Sequence, residues 1–153
     1  MPFYVEKPLA FETKVTPSFN YNCIFILAQQ YLNKGNVDKS IEYFEKLPDD
    51  LWNSRTIPII ARAYYVKQEY DKVIELLKEI PEKDYSVLSL IANSYLACKR
   101  LEKAVEYFEI LRKYGDTYKI NMILGEIYYS LGDDEKAKLY RDRAKKMKKE
   151  MEK

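Results

Sequence analysis

The stretch Leu27-Ala28-Gln29-Gln30-Tyr31-Leu32-Asn33-Lys34-Gly35-Asn36 decides the fold. A small residue is followed three positions later by a tyrosine, about one helical turn on, and a glycine then stands where a helix ends in a left-handed residue. The same pairing returns as Ala61 and Tyr64, Ala92 and Tyr95, and Gly125 and Tyr128, the small residues lying 33, 31 and 33 positions apart. A fixed period of this length marks a stack of supersecondary units rather than one globular core. Twelve residues after each small residue comes Ser40, Val73, Ala104 or Ala137, and four further on Phe44, Leu77, Phe108 or Arg141. Leu27, Ile60, Ile91 and Leu124 stand just before the small residues, so apolar and small positions recur at helical spacing in both halves of every unit. Each unit reads as a helical hairpin.

The breaks between helices carry their own chemistry. Lys34-Gly35-Asn36 and Leu131-Gly132-Asp133 pair a glycine with a side chain able to cap the next helix. Lys67-Gln68-Glu69 and Cys98-Lys99-Arg100 lack glycine and are placed by register alone. Leu47-Pro48 and Ile80-Pro81 end second helices, because proline has no amide hydrogen and disfavours helix in the residue before it. Asp84 and Thr117 sit where the third and fourth hairpins need caps, and Pro58 falls near the start of the second, where proline is tolerated.

These residues resemble the tetratricopeptide repeat family. Leu27-Ala28, Tyr31, Ser40, Phe44 and Pro48 match its pattern in the first unit, Ile91-Ala92, Tyr95, Ala104 and Phe108 in the third, and Leu124-Gly125, Tyr128 and Ala137 in the fourth. The second unit, with Ile60-Ala61, Tyr64, Leu77 and Pro81, fits more loosely. The family's tryptophan column is Ile24, Ile57, Leu88 and Asn121 here, and the one tryptophan, Trp52, lies in a link. The resemblance implies an all-α, right-handed superhelical solenoid with repeats at 21–53, 54–84, 85–117 and 118–153, preceded by an extended arm over 1–20 and closed by a C-terminal capping helix.

It also implies a non-enzymatic scaffold or adaptor that binds a peptide or partner protein on the concave face, lined by first helices. By the resemblance that face carries Phe25, Gln29 and Leu32, then Arg62 and Tyr65, then Asn93 and Leu96, then Met122, Glu126 and Tyr129. The column Leu32, Tyr65, Leu96, Tyr129 suits a peptide with apolar anchors at regular intervals; packing against their own neighbours is the alternative. Phe25 and Gln29 stand where family members that grip a chaperone's terminal carboxylate carry cations, so an apolar ligand is expected instead.

Composition argues against catalysis. There is no histidine, the commonest general base and metal ligand, and none of the four glycines forms a phosphate-cradling loop. Asp38, Glu42 and Glu45, like Glu102, Glu106 and Glu109, recur at the spacing of water-facing helix sides with local lysine partners. Cys23 and Cys98 lie in different hairpins without metal-ligand spacing and read as reduced thiols. No cofactor or metal is expected. The apolar runs are too short for a membrane span and no secretion signal is visible, so a cytoplasmic protein is expected.

Two segments fall outside the hairpin pattern. In the arm, Phe3, Val5, Leu9, Phe11 and Val15 occupy odd positions, with prolines at 2, 8 and 17, the period of an extended segment with one apolar edge. Fully stretched, the arm spans roughly 55–60 Å, and Pro2–Val15 is expected to dock on the inner face of its own or a neighbouring copy, giving self-association; a disordered tail or a cover for the first hairpin alone are the alternatives. At the other end, residues 136–153 hold nine basic and three acidic side chains, whereas residues 1–135 carry a net charge of −4. Lys138, Arg141, Lys145, Lys146, Lys148 and Lys149 form a basic patch. Its alternatives are nucleic-acid or anionic-membrane binding and a solubilising cap for the array.

Overall fold

The computed structural model describes residues 17–153. Among them it contains eight α-helices, one 3₁₀ turn and no strand: α1 (Pro17–Asn33), α2 (Val37–Glu45), the turn Asp49–Leu51, α3 (Ile57–Val66), α4 (Tyr70–Lys78), α5 (Tyr85–Ala97), α6 (Leu101–Tyr114), α7 (Tyr118–Ser130) and α8 (Asp134–Met151). The extended arm expected over 1–20 lies outside the described residues as far as 16. From Pro17 the chain is already helical, four residues ahead of the expected start at 21.

The chain forms two compact units that part at Gln68 and Glu69. In the first, α1 packs on α2 and α2 on α3. Ala28 is fully buried, Phe25 sets its ring 5.5 Å from that of Phe44, and Tyr31 stacks on Tyr43 at 5.4 Å. In the second, α4 through α8 pack each on the next. Ala92, Ala104, Leu124 and Ala144 are sealed there, and Tyr95 stacks on Tyr107 and Tyr128 on Tyr140, both at 5.5 Å. The second tyrosine of each stack comes twelve residues after the first, a column the hairpin pattern held but the sequence reading passed over.

All four turns between first and second helices share one geometry. Gly35 and Gly132 take φ of +82° and +79°, and Gln68 and Lys99 take +68° and +58°. At Gly35 the next amide, Asn36, reaches back to the Tyr31 carbonyl at 2.9 Å while Gly35 itself bonds Leu32, closing a Schellman motif. Asp133 to Tyr128 and Arg100 to Tyr95 repeat that bond at 2.9 Å. The tyrosines thus end their helices as well as packing them. Helix starts are capped by Asn36, Asp84, Thr117 and Asp133, whose side-chain oxygens accept the amides of Lys39, Val87, Ile120 and Lys136. Pro58 lies in the first turn of α3.

Candidate functional site

The residues expected to line the binding face divide between the two units. In the first unit Phe25 is taken up by Phe44 and serves the hairpin core, while Gln29, Leu32 and Tyr65 are half-buried and Arg62 is exposed. In the second, Asn93 turns its amide onto its own helix, donating to the Ser89 carbonyl at 2.7 Å.

Leu96, Met122 and Glu126 come together. They line an open hollow of about 240 Å³ together with Leu101, Ile123, Ile127 and Ser130. Its walls are aliphatic because α5 and α7 present their half-buried leucine, methionine and isoleucine there. Its polar atoms are spoken for: Ser130 donates to the Glu126 carbonyl at 3.0 Å, and the Glu126 carboxylate pairs with Arg141 at 3.0 Å. Small-molecule pockets run to roughly 300–1,000 Å³, so this cavity suits one apolar side chain.

Tyr129 does not join it. Leu96 stands 33 positions earlier and meets α7, but among the described residues no helix follows α8, and Tyr129 is left 58% exposed beneath the Arg141 guanidinium, 4.8 Å from its ring centre. It borders a different, polar hollow of about 460 Å³ shared with Asp134, Ala137, Lys138, Arg141, Asp142 and Lys145. Three members of the basic patch therefore sit among two carboxylates. Lys146, Lys148 and Lys149 are exposed farther along α8. That helix packs through Ala137, Tyr140, Ala144 and half-buried Met147, whereas Met151 is 78% exposed, so its apolar side leaves the core before its end.

Two carboxylates read as solvated do structural duty. Glu42 and Glu106 have the expected lysine partners, Lys46 at 3.2 Å and Lys103 at 2.9 Å. Glu45 instead accepts the Tyr64 hydroxyl at 3.0 Å, and Glu109 accepts the Tyr140 hydroxyl while pairing with Arg112 at 3.0 Å. Burial first, and then the hydrogen bond to Glu109 and its negative charge, push the Tyr140 hydroxyl up to about 12. Asn121, in the tryptophan column, is fully buried and donates to the Asp116 carboxylate at 2.6 Å and the Thr117 carbonyl at 2.8 Å, with Met147 Sδ at 3.6 Å. Its polarity in sequence hid a bracing role between α7 and α8. Gly125 is small for a reason of contact: a Cβ there would lie 3.0 Å from Arg141 Cγ.

Among the described residues no group of three or more histidine, cysteine or acidic side chains is placed to hold a metal, and no helix is long and apolar enough to cross a membrane.

Stacked helical hairpins with Schellman turns and small–tyrosine columns define a helical repeat protein. The tetratricopeptide repeat pattern matches residues 21–47, 85–109 and 118–151, and the chain belongs to that family. The stretch left unmatched holds the loosely fitting second repeat. Among solved structures it is similar to MamA MSR-1, with 20% identity over 90% of this chain and 82% of that one and a TM-score of 0.78. MamA AMB-1 shares 21% identity over 88% and 76% at a TM-score of 0.77. The nearly identical TPR-like repeats of Podospora anserina share 18% over 96% and 84% at 0.66. At these identities the likeness is one of fold. A search of curated proteins finds no significant match.

Proposed function

We propose that this protein is a non-enzymatic scaffold that holds an apolar peptide segment of a partner protein on the first helices of its second unit, α5 and α7. The cavity formed by Leu96, Met122 and Ile123 supplies the principal anchor point in the second unit. The observation that carries this reading is that cavity: aliphatic, sized for one side chain, and rimmed by polar groups already paired. A ligand entering it gains apolar burial without having to desolvate an unpaired charge. Recognition of this kind uses one or two buried apolar anchors flanked by less demanding contacts. The protein acts as an adaptor, bringing the owner of that peptide to whatever else it contacts.

Nucleic-acid or anionic-membrane binding through α8 is the competing assignment. Arg141 is engaged by Glu126 and Tyr129, and Asp134 and Asp142 interrupt the lysines around the polar hollow. Both features weaken α8 as a continuous phosphate-binding stripe.

Selection of random twelve-residue peptides on the intact protein tests the two assignments together. Selected peptides should share apolar anchors and lose about tenfold or more in affinity when Met122→Lys places a charge in the cavity, the size expected for a central anchor. Replacing Lys145, Lys146, Lys148 and Lys149 with glutamate should leave that affinity unchanged. Indifference to Met122→Lys would remove the cavity from the function, and binding of single-stranded RNA or phosphatidylserine vesicles that is lost in the lysine variant would favour α8.

A further inference from the structure

Comparison among the repeats exposes a face of the first hairpin that is covered in the others. At the position of Leu27, the later repeats place Ile60, Ile91 and Leu124, all within 1% of full burial; at the position of Gln30 they place Ala63, Ser94 and Ile127, within 2%. Among the counterparts of Cys23, Val87 and Ile120 are buried and Thr56 is half-buried. In α1, Cys23 and Leu27 are half-buried, Gln30 is exposed and Ile26 is 52% exposed. These four residues follow the i, i+3, i+4, i+7 spacing of one helix face. The face turned toward the hairpin's own partner helix is intact, since Ala28 is sealed and Phe25 and Tyr31 meet Phe44 and Tyr43. Among the described residues, no helix gives the first hairpin the cover that α2 gives α3, α4 gives α5 and α6 gives α7.

Nor is this stripe built to stand in water. The whole of α1 contains no charged residue. Asn20, seven residues ahead of Leu27, has its side-chain oxygen shut away from solvent without a donor among the described residues, and a buried acceptor of that kind requires a partner.

We propose that the segment Pro2–Val15 of the same chain lies along this stripe and closes the first hairpin, rather than lying in the binding groove that its alternating pattern also suits. The sixteen residues ahead of Pro17 are long enough, when extended, to run the length of α1. Phe3, Val5, Leu9, Phe11 and Val15 supply that edge, while Glu6, Lys7, Glu12 and Lys14 balance one another, so no net charge opposes contact with an uncharged helix. An extended segment would also offer free backbone amides as donors to Asn20. A second copy is the weaker candidate for the same place. The α8 side, which would continue a head-to-tail stack, presents Lys138 and Arg141 where earlier second helices carry apolar residues, and a tethered segment acts at millimolar effective concentration. The proposal is independent of the peptide assignment and leaves the cavity at Leu96 open.

Cys23 lies on the stripe and Cys98 does not, so the protein contains a reporter and its own reference, both free thiols. The measurement is alkylation of each thiol by iodoacetamide, with mass-spectrometric readout, in the full chain and in a chain lacking residues 2–15. The expected result is that Cys23 reacts about tenfold faster or more after the deletion while Cys98 is unchanged, as local exposure without global opening requires. Equal Cys23 rates overturn the proposal, as does a dimer in sedimentation whose Cys23 stays shielded after the deletion. Should the deletion accelerate both thiols, the full-length Phe11→Asp, Val15→Asp variant decides. A several-fold rise at Cys23 alone supports the cover, and no change refutes it.

Discussion

Leu27 and Leu124 occupy the same place in the repeat, yet Leu124 is sealed in the core and Leu27 is half-exposed. At the other end of the chain the substitution runs in the opposite direction. Phe44, Leu77 and Phe108 are buried, and their counterpart in the last repeat is Arg141, paired with Glu126 and lying over Tyr129. Among the described residues, the first and the last hairpin each have a face that no neighbouring hairpin covers. The last one meets water with charge, as a capping repeat must; the first keeps its apolar side chains and so requires something to lie on them. The two outer helices thus differ in whether their uncovered side suits water.

The largest effects expected from this comparison are on stability. Leu124→Ala should cost about 2–5 kcal/mol, the range for truncating a buried leucine, measured by urea unfolding of the full chain. Leu27→Ala should cost about half as much, and less again in a chain lacking residues 2–15, because only part of its burial comes from α2. Equal costs for Leu27→Ala with and without the segment would break the contrast.

Next comes the converse experiment on α8. Lys138→Ile with Arg141→Leu restores the apolar residues that earlier second helices carry, and the new patch should drive concentration-dependent self-association visible in sedimentation. A variant that stays at the wild-type mass would mean that charge at α8 is not what keeps this face free.

Smaller still are the turn effects. Lys99→Gly should stabilise and Gly132→Ala destabilise by about 1 kcal/mol each, since both positions hold positive φ and only one has a residue suited to it. Thermal unfolding of the two single variants, with shifts of opposite sign, checks this.

The hydroxyl of Tyr140 adds a dependence on pH. Its ionisation is displaced upward from the ordinary value near 10 to about 12, so between those values the folded state holds a proton that the unfolded state has released. Stability therefore falls as pH rises through that window and is fully retained below it. The urea midpoint should decline from pH 10 to 12 in the parent and decline less in Tyr140→Phe.

Most of the fold was legible because its signals are local and repeated. The small–tyrosine pairs, the glycines at 35 and 132 and the prolines at 48, 58 and 81 each specify a helix boundary or contact without reference to anything distant in sequence. Gln68 and Lys99 could be placed only by register, since neither residue type announces a left-handed turn. The start of α1 at Pro17 was missed because proline marks a helix's first turn as readily as its exclusion from a strand. The site was less readable. Leu96, Met122 and Glu126 border one hollow because α6, which packs on both α5 and α7, brings those helices to the same side, and that arrangement is tertiary. Tyr129 carries the same repeat position as Leu96 but has no following helix to meet, so an identical position acquires a different environment. The roles of Glu45, Glu109 and Asn121 depend on one partner each in another helix, which charge patterning cannot reveal.

Hydrogen–deuterium exchange of the intact protein, with and without a peptide selected on it, tests the central claim most directly. The account predicts added protection in residues 85–97 and 118–130, around Leu96 and Met122, with the outer part of α8 unchanged. Protection confined to residues 134–151 would contradict it and move the binding function to the basic helix.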